Sequence, residues 1–341
     1  MRNPIISNTK KCNDFMANTP PIKRIIISRT DSIGDVVLTL PLCIWLRKHF
    51  PTSSLVYLCS SYTRSVVECF SPIHQIILLE DLEAMTKKER NKALEADVIL
   101  HVFPNQKIAQ WAKGAKIPQR IGTSHRWNHW IYCNVRVDFS RKNSSMNEAQ
   151  LNFYLLKPLG LSQIPAFSSL LNVSDDFRVQ NIQAISENYV VLHPLSKGSA
   201  VDYPLEKYVE LAKLLVEKGF KVVVTGTSAE SDRIGDRFEN LPGVINGVAR
   251  FSLQELMELI KHSKGIVACS TGPLHLAGAM NVRLVGLYSS RKPIDAGRWS
   301  PLGTQTRCLE FNKDCRQCDQ KTACTCIEKI PVEQIFQALV S

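Results

Sequence analysis

Short apolar runs rich in β-branched residues alternate along the chain with stretches whose apolar positions recur at helical spacing. In the first half the runs are KRIIIS, SLVYLC, HQIILL and DVILHVF, separated by helical patterns at residues 35–50, 62–70 and 86–95. A basic segment follows, and then a helical pattern at residues 146–159. Strands that alternate with helices predict parallel sheets in an α/β fold.

A second alternating series begins at NYVVLHP and continues through the runs FKVVVTG, GIVAC and RLVGLY. Helical patterns at residues 205–218, 229–239, 252–262 and 273–280 separate these runs. Two such series predict two Rossmann-like domains with parallel sheets that face one another. The predicted divisions are a basic flexible leader at 1–21, an N-terminal domain at 22–170, a linker at 171–187, and a C-terminal domain at 188–341 that includes a Cys-rich tail and a terminal helix.

Composition fits a soluble protein with enough core for two domains. The chain has 341 residues, of which 44% are hydrophobic and 21% are charged. No apolar run approaches the ~18 residues of a membrane span, and the first 21 residues lack the apolar region of a signal peptide. We therefore expect a cytoplasmic protein.

The net charge of +11 is concentrated in residues 107–142. This basic segment, in which His125, His129, Trp127 and Trp130 are interspersed, predicts a site for an anionic partner, although an ordinary solvated face would carry the same charges. The motifs typical of nucleic-acid-binding folds are absent from the sequence, so we expect no nucleic-acid partner. One acid, Asp138, stands against eight cations: Lys107, Lys113, Lys116, Arg120, Arg126, Arg136, Arg141 and Lys142.

Five of the eleven cysteines lie near the C-terminus. A C-x2-C pair followed by C-x5-C-x-C could form a four-thiolate zinc or iron–sulfur site. The final C-x-C and the short loop before it fit common zinc sites poorly, and reduced cysteines with a local structural role are the alternative. We expect no bound metal. The four candidate ligands are Cys315, Cys318, Cys324 and Cys326.

Ligands of doubly wound sheets bind outside the carboxyl ends of the strands, which selects four loops of this chain. The loop CSTGPLH after GIVA is the strongest candidate anion site, because free amides and the helix dipole at a helix N-terminus favour a phosphate. Ser270, Thr271, Gly272 and His275 lie in this loop, and Lys197 in the loop after YVVL adds a cation. Phosphate binding is therefore assigned to the second half.

Asp35, in the first loop RTDSIGDVV, would repel a diphosphate. A carboxylate at this place can face a second substrate across the cleft and act as a general base. It can equally cap the helix predicted at residues 35–50. The residues alone leave both interpretations open.

The segments RTDSIGDVVLTLP, GTSAESDRIGDRF and GIVACSTGPLHLAGAMNVRLVGLYSS closely resemble glycosyltransferase family 9, the lipopolysaccharide heptosyltransferases. The closing C-x2-C, C-x-C and IPVEQIFQAL resemble it too, so the similarity spans roughly residues 22–341. It implies a GT-B fold and inversion of the anomeric centre without a metal or other cofactor. It further implies an ADP-sugar donor, a lipid A–core acceptor, and peripheral contact with the cytoplasmic face of the inner membrane.

The resemblance also implies roles for individual residues. Asp35 matches the catalytic carboxylate of the S-x-G-D motif. We assign Glu230 to the ribose hydroxyls and expect Phe251 to pack against adenine. Donor-binding residues matched in the second half are Ser196, Lys197, Glu230, Phe251, Ser270, Thr271, Gly272 and His275. Expected acceptor-binding residues are Thr30, Asp31, Ser32 and Gly34 of the first loop, together with Arg64, Arg120 and Arg126.

Two departures from the family pattern affect the donor side. Ser270 stands where family members usually have Asp, and Val201 and Asp202 precede the Tyr-Pro pair where a Lys or Arg is usual. These changes bear on the identity of the transferred sugar. Two other classes of protein stay open on the sequence: a GT-B nucleotide-sugar epimerase, and a non-catalytic protein that binds anions or nucleic acid.

Overall fold

The computed structural model describes residues 21–142, 144–179, 188–312, 315 and 325–341. Within these residues the first half forms a six-stranded parallel sheet with the order β3-β2-β1-β4-β5-β6. Its strands are β1 Arg24–Ser28, β2 Ser54–Cys59, β3 Gln75–Leu78, β4 Val98–His101, β5 Gln119–Thr123 and β6 Val135–Val137.

Helices connect these strands on both faces of the sheet. They are α1 Ile33–Val37, α2 Leu40–His49, α3 Arg64–Glu68, α4 Leu79–Ala84, α5 Lys87–Ala93, α6 Gln106–Gly114, α7 Trp127–Tyr132 and α8 Glu148–Asn152. The helical pattern at 35–50 is divided between α1 and α2, with Leu38 and Thr39 at the break. The pattern at 146–159 continues beyond α8 as the 3-10 helix Phe153–Leu159.

The second half repeats the architecture. In its described part, a second six-stranded parallel sheet has the order β12-β11-β10-β7-β8-β9. Its strands are β7 Tyr189–His193, β8 Lys221–Val224, β9 Val244–Asn246, β10 Ile266–Cys269, β11 Leu284–Tyr288 and β12 Thr306–Glu310. Its helices are α9 Leu205–Glu217, α10 Ser231–Ile234, α11 Leu253–His262, α12 Gly272–Ala279, α13 Ala296–Trp299 and α14 Val332–Val340.

The central strands are buried on both faces, as parallel sheets covered by helices require. Ile25, Ile26 and Ile27 of β1 are fully buried, and Ile26 pairs in register with Val56 and Ile99. The largest apolar cluster includes side chains from both halves. The expected α/β fold with two parallel-sheet domains is confirmed.

Part of the predicted linker packs as structured chain. Phe177 forms an isolated bridge with Phe70 of the first half, and the Arg178 amide donates to the Cys69 carbonyl at 2.7 Å. On the other side, the Gly303 amide donates to the Leu171 carbonyl at 3.0 Å. Residues 180–187 of this linker and residues 1–20 of the predicted leader lie outside the described residues.

A cleft between the two sheets as candidate active site

A cleft of about 790 Å³ opens between the two halves at the carboxyl ends of their strands. The first half contributes the loop after β1 and Tyr62, which follows β2. The second half contributes the loops after β7, β8 and β10 and the start of α11. The two sheets therefore present their ligand-binding edges to one shared space, as the sequence predicts.

Asp35 lines this cleft from the first turn of α1. The helix begins at Ile33 with Ser32 as its N-cap residue, so Asp35 is not the capping residue. Its carboxylate instead accepts hydrogen bonds from two side chains, the guanidinium of Arg29 and the hydroxyl of Ser32. Asp35 is thus an oriented carboxylate, 14% exposed, at the wall of the cleft.

Arg29 anchors the first loop through hydrogen bonds to Asp31 and Asp35. It is buried, and its Nε donates to Asp31 Oδ1 at 2.7 Å while a terminal nitrogen donates to Asp35. A second terminal nitrogen donates to Glu148 Oε1 at 3.1 Å. Burial raises the pKa of the Asp31 carboxyl, although Arg29 acts in the opposite direction. One guanidinium therefore fixes both carboxylates of the first loop.

Glu148 at the start of α8 lies at the centre of a charge cluster that joins the two halves. Its carboxylate accepts from Arg29, from Arg141 Nε at 2.8 Å, and from Arg298 of α13. Burial alone would raise the pKa of Glu148, but the three guanidinium groups more than offset it and the pKa is lowered. The sequence predicts a role for Asp31 and Asp35 but not for Arg29, Glu148 or Arg298.

Two loops of the second half, for which the sequence predicts an anion site, line the cleft. Lys197 is exposed and lines the cleft in a left-handed turn with Gly198, with φ angles of 50° and 81°. The Ser199 hydroxyl donates to the Ser270 carbonyl at 3.0 Å, which ties this loop to the one after β10. The Ser196 hydroxyl bonds within its own loop, to the Ala200 carbonyl at 3.1 Å.

Helix α12 points its N-terminus into the cleft. Thr271 is its N-cap residue, and the buried Thr271 Oγ1 has no hydrogen-bond partner among the residues that the structure describes. Ser270 is buried beside it, and Gly272 and Pro273 begin the helix. The first-turn amides and the unpaired hydroxyl together favour an anion at this end of the cleft.

His275 brings the two halves into contact. A Cβ placed on Gly34 would come within 2.7 Å of His275 Cδ2, and one on Gly272 within 3.0 Å of Ile33 Cβ. The glycines therefore allow α1 and α12 to pack closely across the cleft. Burial lowers the pKa of His275 to about 4, so at neutral pH its imidazole is an uncharged hydrogen-bonding group.

Glu230 and Phe251, which the sequence analysis assigns to the donor nucleoside, both line the cleft. Glu230 is buried, and its Oε2 accepts from the amide and the hydroxyl of Thr227, each at 2.8 Å. Its Oε1 has no partner within the described parts of the chain. Phe251 lines the same region, with its ring edge against Gly247. Tyr62 of the first half also lines the cleft and is not predicted from the sequence.

The basic segment is largely engaged in internal contacts. Arg120 lies near the start of β5, and its guanidinium donates to the carbonyl groups of Tyr132, at 2.8 Å, and Ile117. The structure therefore does not bring Arg120 to the cleft. Arg126 precedes α7 beyond the carboxyl end of β5 and is exposed. Other cations of the segment have internal partners: Lys107 with Glu83, Lys113 with Ile131, Arg136 with Cys133, and Arg141 with Glu148.

The other expected acceptor residues lie around the first loop. Thr30 is partly exposed between Arg29 and Asp31, but it is not part of the cleft wall, whereas Ser32 and Gly34 are. Arg64 begins α3 just after Tyr62, is exposed, and pairs with Glu68 at 2.7 Å. The acceptor assignments of these residues stay predictions.

The unusual Asp202 of the second loop is paired. Arg233 donates to Asp202 Oδ2 at 3.0 Å, so a cation from α10 offsets the acid that stands where the family usually has a base. The negative charge of Asp202 is therefore compensated by a neighbouring cation.

The structure describes two of the four cysteines that the sequence offers as metal ligands. The Sγ atoms of Cys315 and Cys326 lie 3.0 Å apart, while Cys318 and Cys324 lie outside the described residues. Among the residues that are described, no group of three or more His, Cys, Asp or Glu side chains could hold a metal ion. The expectation of no bound metal stays a prediction. No helix within the described residues is long and apolar enough to cross a membrane.

Known proteins resemble this chain over most of its length. Residues 88–327 match the model of glycosyltransferase family 9 (heptosyltransferase). A putative glycosyltransferase of Haemophilus influenzae is 26% identical over 313 residues, which cover 85% of this chain and 89% of that protein. Lipooligosaccharide heptosyltransferase 2 of Haemophilus ducreyi is 24% identical, covering 79% of this chain and 84% of that protein. The solved structure of Escherichia coli ADP-heptose LPS heptosyltransferase II has a TM-score of 0.71 at 19% identity, over 93% of this chain and 97% of that one.

Two facing Rossmann-like domains with a shared cleft define an enzyme of the GT-B class. The chain belongs to glycosyltransferase family 9 (heptosyltransferase), whose model matches well over half of its residues. It is therefore a glycosyltransferase, and the epimerase and the non-catalytic anion-binding protein are both disfavoured.

Proposed function

We propose that this enzyme transfers a heptose, or a closely related sugar, from an ADP-sugar to a lipopolysaccharide core acceptor with inversion. The observation that carries the proposal is the position of Asp35, which shares one cleft with Lys197 and the N-terminus of α12. An oriented carboxylate thus faces an anion site from the opposite domain. The names of the relatives, lipooligosaccharide heptosyltransferase 2 and ADP-heptose LPS heptosyltransferase II, support the choice of sugar, nucleotide and acceptor.

Each part of the donor (diphosphate, ribose, base and sugar) has a candidate contact in the cleft. The diphosphate lies between Lys197 and the first-turn amides of α12, where cation and helix dipole both favour it. The unpaired Oε1 of Glu230 accepts a ribose hydroxyl, and Phe251 packs against the base. The sugar then lies toward Gly34 and Asp35, where α1 and α12 meet.

Asp35 acts as the general base in this mechanism. It removes the proton of the acceptor hydroxyl, whose oxygen attacks the anomeric carbon and forms the new glycosidic bond. The bond from that carbon to the phosphate oxygen breaks at the same time, and ADP leaves with the electron pair. Lys197 and the α12 amides stabilise the charge that develops on the departing diphosphate. A single displacement inverts the anomeric centre.

The acceptor enters from the first half, beside Asp35. We assign the enzyme to the cytoplasmic face of the inner membrane, where it would reach a lipid-borne acceptor by peripheral contact. Arg64 and Arg126 are the exposed cations of our acceptor set that follow strands at the carboxyl edge of the first sheet. Their charge complements phosphate or carboxylate groups of the acceptor.

A donor competition experiment tests the proposal. ADP-, UDP- and GDP-sugars are compared by thermal shift, because a ligand that binds the folded state raises the melting temperature by mass action. We expect an ADP-sugar to stabilise the protein most and to be consumed only when an acceptor is present. Consumption of the donor alone would indicate an epimerase, and equal stabilisation by UDP- or GDP-sugars would contradict the donor assignment.

Lys197→Ala is expected to weaken donor binding by about 10–100-fold, because a charge-assisted contact to the diphosphate is lost. Calorimetric titration with ADP and with an ADP-sugar measures the change. Lys213→Ala is the matched control, since Lys213 is an exposed lysine on α9 and does not line the cleft. An unchanged affinity in Lys197→Ala would place the diphosphate elsewhere.

A further inference from the structure

Helix α7 exposes large apolar side chains at the surface of the first half. Trp127 is 64% exposed, Trp130 61% and Ile131 50%, and we call these three residues the α7 face. The helix is firmly seated, because Asn128 and His129 between them are buried and the His129 ring packs against Gly122. The outward orientation of the α7 face is therefore set by packing, and a cluster of this kind marks an interaction surface.

Cations surround the α7 face. The Arg136 guanidinium lies 4.5 Å from the centroid of the Trp130 ring, and the Lys113 ammonium donates to the Ile131 carbonyl at 3.0 Å. Arg126 is the N-cap residue of the helix. The one acid of the basic segment, Asp138, pairs with His125 at 2.8 Å. The surface thus combines apolar side chains with a positively charged rim.

We propose that the α7 face inserts into the headgroup region of an anionic lipid bilayer. Tryptophan favours the boundary between headgroups and acyl chains, where Ile131 can enter the apolar layer. Arg126 contacts lipid phosphates, as do the N–H groups of Lys113 and Arg136 beyond the single one that each donates to a backbone carbonyl. Each such cation is worth on the order of a few-fold in binding. A single-stranded nucleic acid fits less well, because Arg136 covers a Trp130 ring face that a base would need for stacking.

The α7 face lies on the same side of the first domain as Asp35. Helix α7 follows the carboxyl end of β5, and Asp35 follows that of β1, so both lie at the same edge of one parallel sheet. An enzyme docked through α7 would therefore turn the catalytic edge of its acceptor domain toward the bilayer. This orientation rests on the proposed function, because it assumes that the acceptor is carried by a lipid.

Vesicle binding tests the proposal on the full chain. The protein is sedimented with vesicles of phosphatidylcholine alone and of phosphatidylcholine with about one third phosphatidylglycerol, a content chosen to give a negative surface. We expect binding to the anionic vesicles only, and at least about tenfold weaker partitioning for Trp127→Ser/Trp130→Ser. Phe311→Ser is the matched control, because Phe311 is a 51% exposed aromatic residue of the second half. Trp127→Ser alone serves if the double variant is unstable.

Further measurements distinguish the possible outcomes. Transfer to a water-soluble, deacylated acceptor should be equal in wild type and variants. If no transfer occurred at all, the proposed function would be contradicted, whereas vesicle binding would still test the role of the α7 face. Quenching of tryptophan fluorescence by brominated lipids should occur in the wild type and diminish in Trp127→Ser. Vesicle binding that the substitutions leave unchanged would overturn the proposal. So would an RNA complex, or a dimer seen by light scattering, that only the wild type forms.

Discussion

Asp35→Asn is expected to lower kcat by about 10²–10⁴-fold, the usual contribution of a positioned general base. Asparagine keeps the shape of the side chain and one oxygen that can accept from Arg29 or Ser32. It cannot take the proton of the acceptor hydroxyl. Donor affinity should change little, because Lys197 and Glu230, which we propose to bind the donor, line the cleft from the opposite domain.

Steady-state kinetics with both substrates saturating measure kcat, and calorimetric titration with ADP measures donor affinity separately. Asp138→Asn is the matched control, since Asp138 is an 88% exposed acid of the same domain and lies outside the cleft wall. If Asp35→Asn kept kcat near that of the wild type, Asp35 would be reduced to an electrostatic role in the first turn of α1. The base would then have to be sought elsewhere in the cleft.

The strands of both sheet centres are predictable because burial on both faces leaves a nearly continuous apolar run. KRIIIS, SLVYLC and GIVAC all correspond to observed strands. Strands β5 and β6 were missed because QRIGT and VRV are short and interrupted by charge. Strand β6 is at the edge of the sheet and β5 is its neighbour, and part of each strand is incompletely buried, so polar side chains cost little there. Their sequences therefore resemble loops within the basic segment.

The part of the cleft wall that the second half contributes is predictable for a related reason. Lys197, Glu230 and Thr271 each lie in a loop directly after an apolar strand, and parallel strands bring such loops to one edge. The charge cluster around Glu148 cannot be predicted in this way, because its partners Arg29 and Arg298 are each more than a hundred residues away from it in the sequence. Nothing local in the sequence indicates that a charged residue will be buried with a distant partner.

The sequence also leaves open which cations of the basic segment are available to a partner. Charge counts treat Arg120, Arg126 and Arg141 alike, yet the guanidinium groups of Arg120 and Arg141 have internal acceptors. Arg141 is even partly buried against Glu148. Long basic side chains can satisfy carbonyl groups of their own domain, and only the fold shows which ones remain available to a partner.

Glu148→Gln is expected to destabilise the protein by about 3–5 kcal/mol, the usual cost of removing one partner from a buried ion pair. Glu148 is 1% exposed, and its loss would leave Arg29, Arg141 and Arg298 without their shared counter-charge. Because Arg298 belongs to the second half, the contact between the domains should weaken as well. Arg29 also orients Asp35, so kcat should fall in protein that remains folded.

The pH dependence of this loss has a definite sign. Glu148 has a lowered pKa in the folded state, so its stabilisation is fully present above the ordinary glutamate pKa of 4.5 and is lost as pH falls through the lowered value. Urea unfolding of wild type and Glu148→Gln at neutral pH and below pH 4.5 measures the difference. Glu68→Gln is the matched control, because its partner Arg64 is exposed and the pair should contribute almost nothing. A loss under about 1 kcal/mol for Glu148→Gln at neutral pH would mean that the arginines do not depend on this carboxylate, because an unpaired buried charge costs far more than that.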